Sequence, residues 1–283
     1  MAKLIDGKVI SAAVKERVKN GVAELNNKGI TVGLAVIIVG EDPASKVYVA
    51  NKKKACEALG IISEEYALPE TTTEAELLAL IDELNNKKSI NGILCQLPLP
   101  RHLDEKLIIN SISPEKDVDA FHPVNVGKIM IGDFDFVPCT PAGVMEMLAF
   151  EGVEVEGKNC VVIGRSNIVG KPMNMLLLHK NGTVTICHSR TKNLKEICAG
   201  ADILVAAVGK AGFVTADMVK EGAVVIDVGI NRVDGKLVGD VNFNDVCEKT
   251  SYITPVPGGV GPMTIAMLMQ NTLTAAKKQN KVK

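Results

Sequence analysis

The stretch Cys160–His179, CVVIGRSNIVGKPMNMLLLH, decides how the chain is read. Cys160 to Ile163 is an apolar, β-branched run, the pattern of a strand buried on both faces. Gly164 ends it. Pro172 suits the first turn of a helix, where its missing N–H costs nothing. Met173, Leu176 and Leu177 continue at helical spacing until Asn181-Gly182 stops them. A tight strand–turn–helix aims unpaired N–H groups and a helix dipole at one point, which suits a phosphate. Gly164 permits the turn, and Gly170 lets the helix pack close to the strand, as in dinucleotide folds. The middle glycine of that fingerprint is missing and Ser166 occupies its region, so the residues also suit an ordinary βα turn.

The segment beyond this helix narrows the choice. Thr183 to Cys187 is a second strand, and it ends in His188-Ser189-Arg190-Thr191. An NAD site places an acid there for the ribose 2′-hydroxyl. This chain has no Asp or Glu at that point. It has Ser189 and Arg190, with Arg165 inside the preceding turn. A guanidinium presents a planar donor fork that fits a 2′-phosphate. The pattern predicts NADP as the cofactor, against the alternative of a solvated basic loop.

The 283 residues allow one large domain or two ordinary ones, and 47% hydrophobic content is enough for substantial cores. A net charge of -1 gives no electrostatic case for nucleic acid. No apolar run approaches transmembrane length, and the amino-terminal MAKLIDGKVI lacks the apolar core of a signal peptide, so no membrane partner is expected. Seven cysteines occur without a CxxC pair, and four histidines without ligand spacing. Reduced thiols in a cytoplasmic protein are expected, and no metal.

Taken in order, Val9, Ala13, Val14, Val18, Val22 and Leu25 mark an amphipathic helix. Apolar strands at 32–39, 61–68 and 90–97 alternate with helices at 43–59, at 73–84, opened by the capping-box pair Thr73 and Glu76, and at 103–109. Ser113 to Pro141 is rich in Pro, Gly and Asp and is the best domain boundary. A helix at 142–150 leads into the strand at Val161. Strands come next at 203–208 and 224–228, then a hairpin at Asp234-Gly235 and a last strand at 252–254. Pro257-Gly258-Gly259-Val260-Gly261-Pro262 is a loop built for close backbone approach, and an apolar, Met-rich helix from Met263 to about Lys278 closes the chain. The fold class is therefore α/β: an N-terminal parallel α/β sheet domain and a Rossmann-like dinucleotide-binding domain.

Ser45, Tyr48 and Lys52 stand at i, i+3, i+7 and share one helical face. Tyr48 offers a flat stacking surface and Lys52 an amine, although Lys52-Lys53-Lys54 also reads as a solvated charge run. A Tyr-xxx-Lys pair occurs in short-chain dehydrogenases too, but there it comes after the glycine motif, and here it precedes it in a separate domain. Gln96 at the tip of a buried strand either binds something specific or caps backbone. Asp117 and Asp119 are acids in an irregular segment, and either could be merely solvated.

Together these pieces resemble the bifunctional methylenetetrahydrofolate dehydrogenase/cyclohydrolase family over essentially the whole chain. The resembling stretches are YVANKKKACEALGI from Tyr48, GILCQLPLP from Gly92, PEKDVDAFHPVNVGK from Pro114 and PCTPAGV from Pro138. They continue with GRSNIVGKP from Gly164, HSRT from His188, VIDVGIN from Val225 and PVPGGVGPMT from Pro255. The resemblance implies a homodimer of two-domain subunits. A folate-binding catalytic domain would comprise 1–121 plus 263–283, an NADP-binding domain 139–262, and the tetrahydrofolate derivative would lie in the cleft between them. It implies that Lys52 is the central catalytic residue, that Tyr48 stacks on the folate, that Gln96 positions Lys52, and that Asp119 holds the pterin. Gly164, Arg165, Ser166, Ser189, Arg190 and Ile230 would hold NADP; Leu97, Pro257, Gly258, Gly259 and Gly261 would line the folate side. Ala120 departs from the pattern, which has Gly there. If that position needs positive φ, Ala costs stability or shifts the Asp119 loop.

The activity implied is oxidation of 5,10-methylenetetrahydrofolate with NADP and hydrolysis of the 5,10-methenyl cation to 10-formyltetrahydrofolate, in one-carbon metabolism. Two other readings stand beside it: a dehydrogenase without cyclohydrolase activity, and a catalytically silent dinucleotide-sensing protein.

Overall fold

A computed structural model of the chain describes residues 2–282. The elements in chain order are β1 (Lys3–Leu4), α1 (Gly7–Asn27), β2 (Gly33–Val39), α2 (Pro43–Leu59), β3 (Ile62–Leu68), α3 (Glu74–Asn86), β4 (Gly92–Cys95), α4 (Glu105–Ser111), α5 (Pro123–Ile131) and α6 (Cys139–Phe150). They continue as β5 (Asn159–Ile163), α7 (Gly170–His179), β6 (Thr183–Cys187), α8 (Leu194–Ala199), β7 (Ile203–Ala206), β8 (Val224–Asp227), β9 (Asn231–Val233), β10 (Lys236–Val238), α9 (Phe243–Cys247), β11 (Tyr252–Ile253) and α10 (Val260–Gln279). They form two compact units, one of Ala13–Val137 with Ile265–Lys283, the other of Met1–Ala12 with Pro138–Thr264.

The first unit holds a three-stranded parallel sheet in the order β3-β2-β4. All seven residues of β2 are buried, which is why its sequence reads as an unbroken apolar run. Leu77, Ile81 and Leu84 of α3 pack on the sheet with Ile37, Ile90 and Ile93. The capping box that starts α3 is present in full, with Thr73 and Glu76 bonding each other's backbone amides. Because β2 is central, the chain leaves it for β3 on one side and reaches β4 on the other. The carboxyl ends of β2 and β4 therefore flank a topological switch point, the place where open α/β sheets bind ligands.

The second unit holds a six-stranded sheet, β1-β11-β8-β7-β5-β6, with every neighbouring pair parallel. Its core centres on Val161, Ile163, Leu204, Val225 and Ile253. Here the switch point falls between β5 and β7. The hairpin β9–β10 turns at Asp234 and Gly235, both at positive φ, as a type I′ turn requires.

Three elements escape the sequence pattern. The two-residue strand β1 pairs with β11, so residues 1–12 belong with the six-stranded unit and not with the N-terminal sheet as read from sequence. α5 lies inside the segment read as a domain boundary. Its signals are His122 as N-cap, Pro123 in the first turn and Gly132 as a left-handed C-cap. α9 is a single short turn of helix.

Candidate functional site

In the three-stranded unit, α2 starts directly beyond the carboxyl end of β2. Asp42 caps it, accepting from the Ser45 amide at 2.7 Å, and Gly60 ends it at φ 75°. Ser45, Val49, Lys52, Cys56 and Leu59 form its buried stripe. Lys52 is thus part of the inward face, 7% exposed, while Lys53 and Lys54 point to solvent. The solvated-run reading of Lys52 is corrected by this burial. Tyr48, one position off the stripe and one turn before Lys52, is 44% exposed.

A buried ammonium needs acceptors. Lys52 Nζ donates to Gln96 Oε1 at 2.7 Å, and Gln96 Nε2 donates to the Leu97 carbonyl at 2.7 Å. Gln96 stands one residue beyond β4, its amide still bonded to Ile37 O at 2.8 Å. The cis Leu97–Pro98 peptide comes next. Tyr48, Lys52, Gln96 and Leu97 thus gather at the switch point of this sheet. Burial first, with Glu105 and Asp119 adding to it, pushes the thiol of Cys95 beside them up to about 12, which disfavours its thiolate.

The loop after Pro114 runs alongside β4, where Ile93 N–H donates to Lys116 O at 2.8 Å. Its two aspartates have separate environments. The Asp117 carboxylate is buried and accepts from the amides of Phe121 (3.2 Å) and His122 (2.8 Å) and from Asn125 Nδ2 (2.8 Å). Burial pushes its pKa up, and these bonds pull against the shift. Asp117 therefore anchors the loop. Asp119 is half-buried and near enough to Cys95 for its charge to be felt there. Ala120 takes φ 57°, the left-handed conformation that sequence raised as a condition.

In the six-stranded unit, the Gly164 turn is built by close approach. Gly164 sits at φ 143°, and a Cβ there would overlap the Ala207 carbonyl oxygen at the end of β7. A Cβ on Gly170 would overlap the Gly164 carbonyl, so α7 begins in backbone contact with the turn. Ser166 Oγ accepts from the amides of Val169 (3.1 Å) and Gly170 (3.3 Å). Arg165, Ser189 and Arg190 lie at the carboxyl ends of β5 and β6, both arginines exposed, and no acid stands at the end of β6.

Ile230, 50% exposed, lies next to Gly261: its Cδ1 would be 3.8 Å from a Cβ placed there. Its neighbours are fixed by two buried carboxylates that sequence reasoning missed. Asp227 accepts from the amides of Gly229, Asp240 and Val241, each at 2.9 Å. Asp240 accepts from the amides of Val208 (2.6 Å), Gly209 (2.9 Å) and Lys210 (2.8 Å) and from Asn231 Nδ2 (2.9 Å). The only sequence signal was the pair of acids in apolar surroundings in VIDVGIN and GDV. In the Pro257–Gly261 loop, a Gly259 Cβ would stand 2.5 Å from Pro255 O, and a Gly7 Cβ would overlap Gly259 O. Gly259 is thus required by the loop's own fold back on Pro255, and Gly7 by the close crossing of the start of α1 over the loop. Among the described residues, no cluster of His, Cys, Asp and Glu has the makings of a metal site, and no helix is long and apolar enough to cross a membrane.

Comparison with known proteins identifies the arrangement. Residues 5–119 match the catalytic-domain model of tetrahydrofolate dehydrogenase/cyclohydrolase, and residues 138–280 match its NAD(P)-binding-domain model. The chain is 62% identical over 283 residues to the bifunctional protein FolD of Acetivibrio thermocellus, covering 100% of this chain and 99% of that one. It is similar to the crystal structure of the bifunctional enzyme FolD, methylenetetrahydrofolate dehydrogenase/cyclohydrolase, from Campylobacter jejuni. The TM-score is 0.96 at 52% identity, covering 99% of this chain and 100% of that one. It is also similar to the Trypanosoma brucei N5,N10-methylenetetrahydrofolate dehydrogenase-cyclohydrolase, solved with NADP cofactor and inhibitor. There the TM-score is 0.95 at 41% identity, with 99% of each chain covered. Two matched domains in the right order and full-length relatives leave one conclusion: the chain belongs to the tetrahydrofolate dehydrogenase/cyclohydrolase family.

Proposed function

We propose that this enzyme oxidises 5,10-methylenetetrahydrofolate with NADP and hydrolyses the resulting 5,10-methenyl cation to 10-formyltetrahydrofolate, with Lys52 serving both steps. The observation that carries the reading is the 2.7 Å contact of Lys52 Nζ with Gln96 Oε1 at the switch point of the catalytic-domain sheet.

The residues suit an NADP site. The turn at Gly164 and Gly170 leaves no room for a Cβ, so strand, turn and helix start pack backbone to backbone, the arrangement that sets a helix N-terminus against a pyrophosphate in dinucleotide folds. Gly164, Arg165 and Ser166 would hold the pyrophosphate end. Ser189 and Arg190, with Arg165, would take the 2′-phosphate, and Ile230 would pack on the cofactor's apolar face. NADP, when bound, supplies the hydride acceptor.

The protein's own task is orientation and proton transfer. Tyr48 stacks on the folate, Asp119 accepts hydrogen bonds from the pterin, and Leu97 lines its site. Lys52 orients the one-carbon unit during oxidation. The methenyl carbon is then cationic, so water adds to it once a proton is taken from the attacking oxygen. Lys52, as the neutral amine, takes that proton and, as the ammonium, returns it to the folate nitrogen as the carbon–nitrogen bond breaks; the hydroxyl proton of the adduct leaves to solvent as the formyl C=O forms. Gln96 holds the amine in place for both.

The test monitors the methenyl absorbance with methylenetetrahydrofolate and either NADP or NAD. The methenyl species should rise and then decay, with NADP strongly preferred. A rise without decay leaves a dehydrogenase only, and no NADP reduction rejects the proposal.

The seven free thiols, six of them buried, support a cytoplasmic enzyme. A homodimer is the assembly proposed. The open edge strand β6, with Ile186 exposed on it and Leu178 exposed on α7, offers one surface for it.

A further inference from the structure

Asn271 lies in the middle of α10, where the helix is buried nearly all round, with Leu268, Met269, Thr272, Leu273, Ala275 and Ala276 buried beside it. It is 4% exposed. Asparagine is a poor helix former and a costly residue to bury. Both hydrogens of its amide nitrogen are used: Nδ2 donates to Val118 O at 2.8 Å and to Val137 O at 3.0 Å. Val118 is the residue before Asp119. Its side chain is pinned as well, since a Cβ on Gly92 of β4 would come within 2.7 Å of Val118 Cγ1. Of the run Lys116 to Ala120, four residues are buried and only Asp119 is not. Lys116 Nζ donates to the carbonyls of Leu84 and Lys87 at 2.8 Å each, and Asp117 is held by three donors. The backbone is thus fastened on the approach to the one side chain of the run that reaches the surface.

We infer that Asn271 is a positioning residue for Asp119: by holding the Val118 carbonyl it fixes where the Asp119 carboxylate stands, and so tunes affinity for the pterin. The inference rests on the reading that Asp119 holds the pterin, and it gives the closing helix a part in folate binding beyond packing.

The test is a double-mutant cycle in the full-length enzyme, read as KM and kcat for hydrolysis of 5,10-methenyltetrahydrofolate, a reaction that needs no NADP. Asn271→Ser should raise KM about tenfold, the worth of a lost buried hydrogen bond, with kcat changed less than about threefold. The dissociation constant for NADP should not move. Asp119→Asn should raise KM at least as much, and adding Asn271→Ser to it should raise KM less than about twofold further. An equal KM penalty in both backgrounds, or none in the wild-type background, overturns the inference and leaves the role of Asp119 standing. If Asp119→Asn leaves KM unchanged, the Asp119 assignment fails and the inference falls with it. Should Asn271→Ser not fold, Asn271→Gln displaces the same amide by one methylene and carries the same cycle.

Discussion

Lys52 and Gln96 meet at 2.7 Å from opposite sides of the sheet's switch point, and their chemistry fixes which atoms meet. An ammonium only donates, so Gln96 must present Oε1 to it and turn Nε2 to the Leu97 carbonyl. The amide is thereby locked, and the amine with it. Replacing Lys52 removes the group that sets Gln96 and, on the proposed mechanism, the proton carrier as well.

Lys52→Met should lower cyclohydrolase activity by about a hundredfold or more, the range of a lost general acid–base. Dehydrogenase activity should fall less, since hydride transfer needs orientation and not proton exchange. The thermal midpoint should change by only a few degrees, because Met fills the buried stripe of α2 and a buried charge is removed. Lys53→Met and Lys54→Met, at exposed positions, should leave both activities within about twofold. Hydrolysis at the wild-type rate in Lys52→Met would reject the assignment.

The separation of Lys52 from its two neighbours was only partly legible in sequence, where the three lysines also read as a solvated run and Tyr48 was set on the same face. Ser45, Val49, Lys52, Cys56 and Leu59 recur at helical spacing, and only one of the three lysines sits on that stripe. The Gly164 turn was legible for the same kind of reason, since local spacing encodes local geometry. Asp117 and Asp119 were not separable, because what distinguishes them is three donors supplied by Phe121, His122 and Asn125 and the loop's path beside β4. Two residues of β1 carry no periodicity and gain their identity from β11, far along the chain. The Asp227–Asp240 brace was missed because backbone amides have no letter in a sequence.

The proposed preference for NADP rests on exposed groups. Arg165 and Arg190 stand in solvent with no acid at the end of β6. Charge-assisted bonds to a phosphate contribute about 1.5–3 kcal/mol each, or roughly tenfold or more in affinity. Arg165→Ala or Arg190→Ala should weaken NADP binding by at least about that factor while NAD binding changes less than about twofold. Calorimetric titration with each dinucleotide checks this. Equal losses for both would move the arginines away from the 2′-phosphate.

Ala120 occupies a left-handed conformation, φ 57°, and is fully buried. A left-handed L-residue costs roughly 1–2 kcal/mol. Glycine removes that strain but loses a buried methyl and gains unfolded-state entropy, each worth somewhat under about 1 kcal/mol. Ala120→Gly should therefore shift stability by less than about 1 kcal/mol and leave the folate KM within about twofold, since the loop already has the shape that glycine favours. Ala120→Val, β-branched at positive φ, should cost more than about 2 kcal/mol and raise the folate KM. Chemical denaturation and steady-state kinetics on the two variants check the pair.

Asp227 makes stability depend on pH in a direction opposite to that of a salt-bridged acid. It is 3% exposed, and burial raises its pKa from 3.8 to about 6 against the pull of amide bonds from Val241, Asp240 and Gly229, with the nearby Asp240 carboxylate adding to the rise. Between those two values the native protein holds a proton that the unfolded chain releases. The contribution is therefore fully present below the unfolded value and is lost as pH rises through about 6. From about pH 5 to about pH 7.5 the loss amounts to about 1–1.5 kcal/mol. Asp227→Asn removes this titration and turns an amide nitrogen toward donors, so it is less stable at every pH. Its deficit relative to the wild type should be largest at about pH 5 and shrink toward about pH 7.5. Urea denaturation of both proteins across that range measures it. A deficit that grows with pH would mean that the native fold prefers the carboxylate, with the three amide bonds outweighing desolvation.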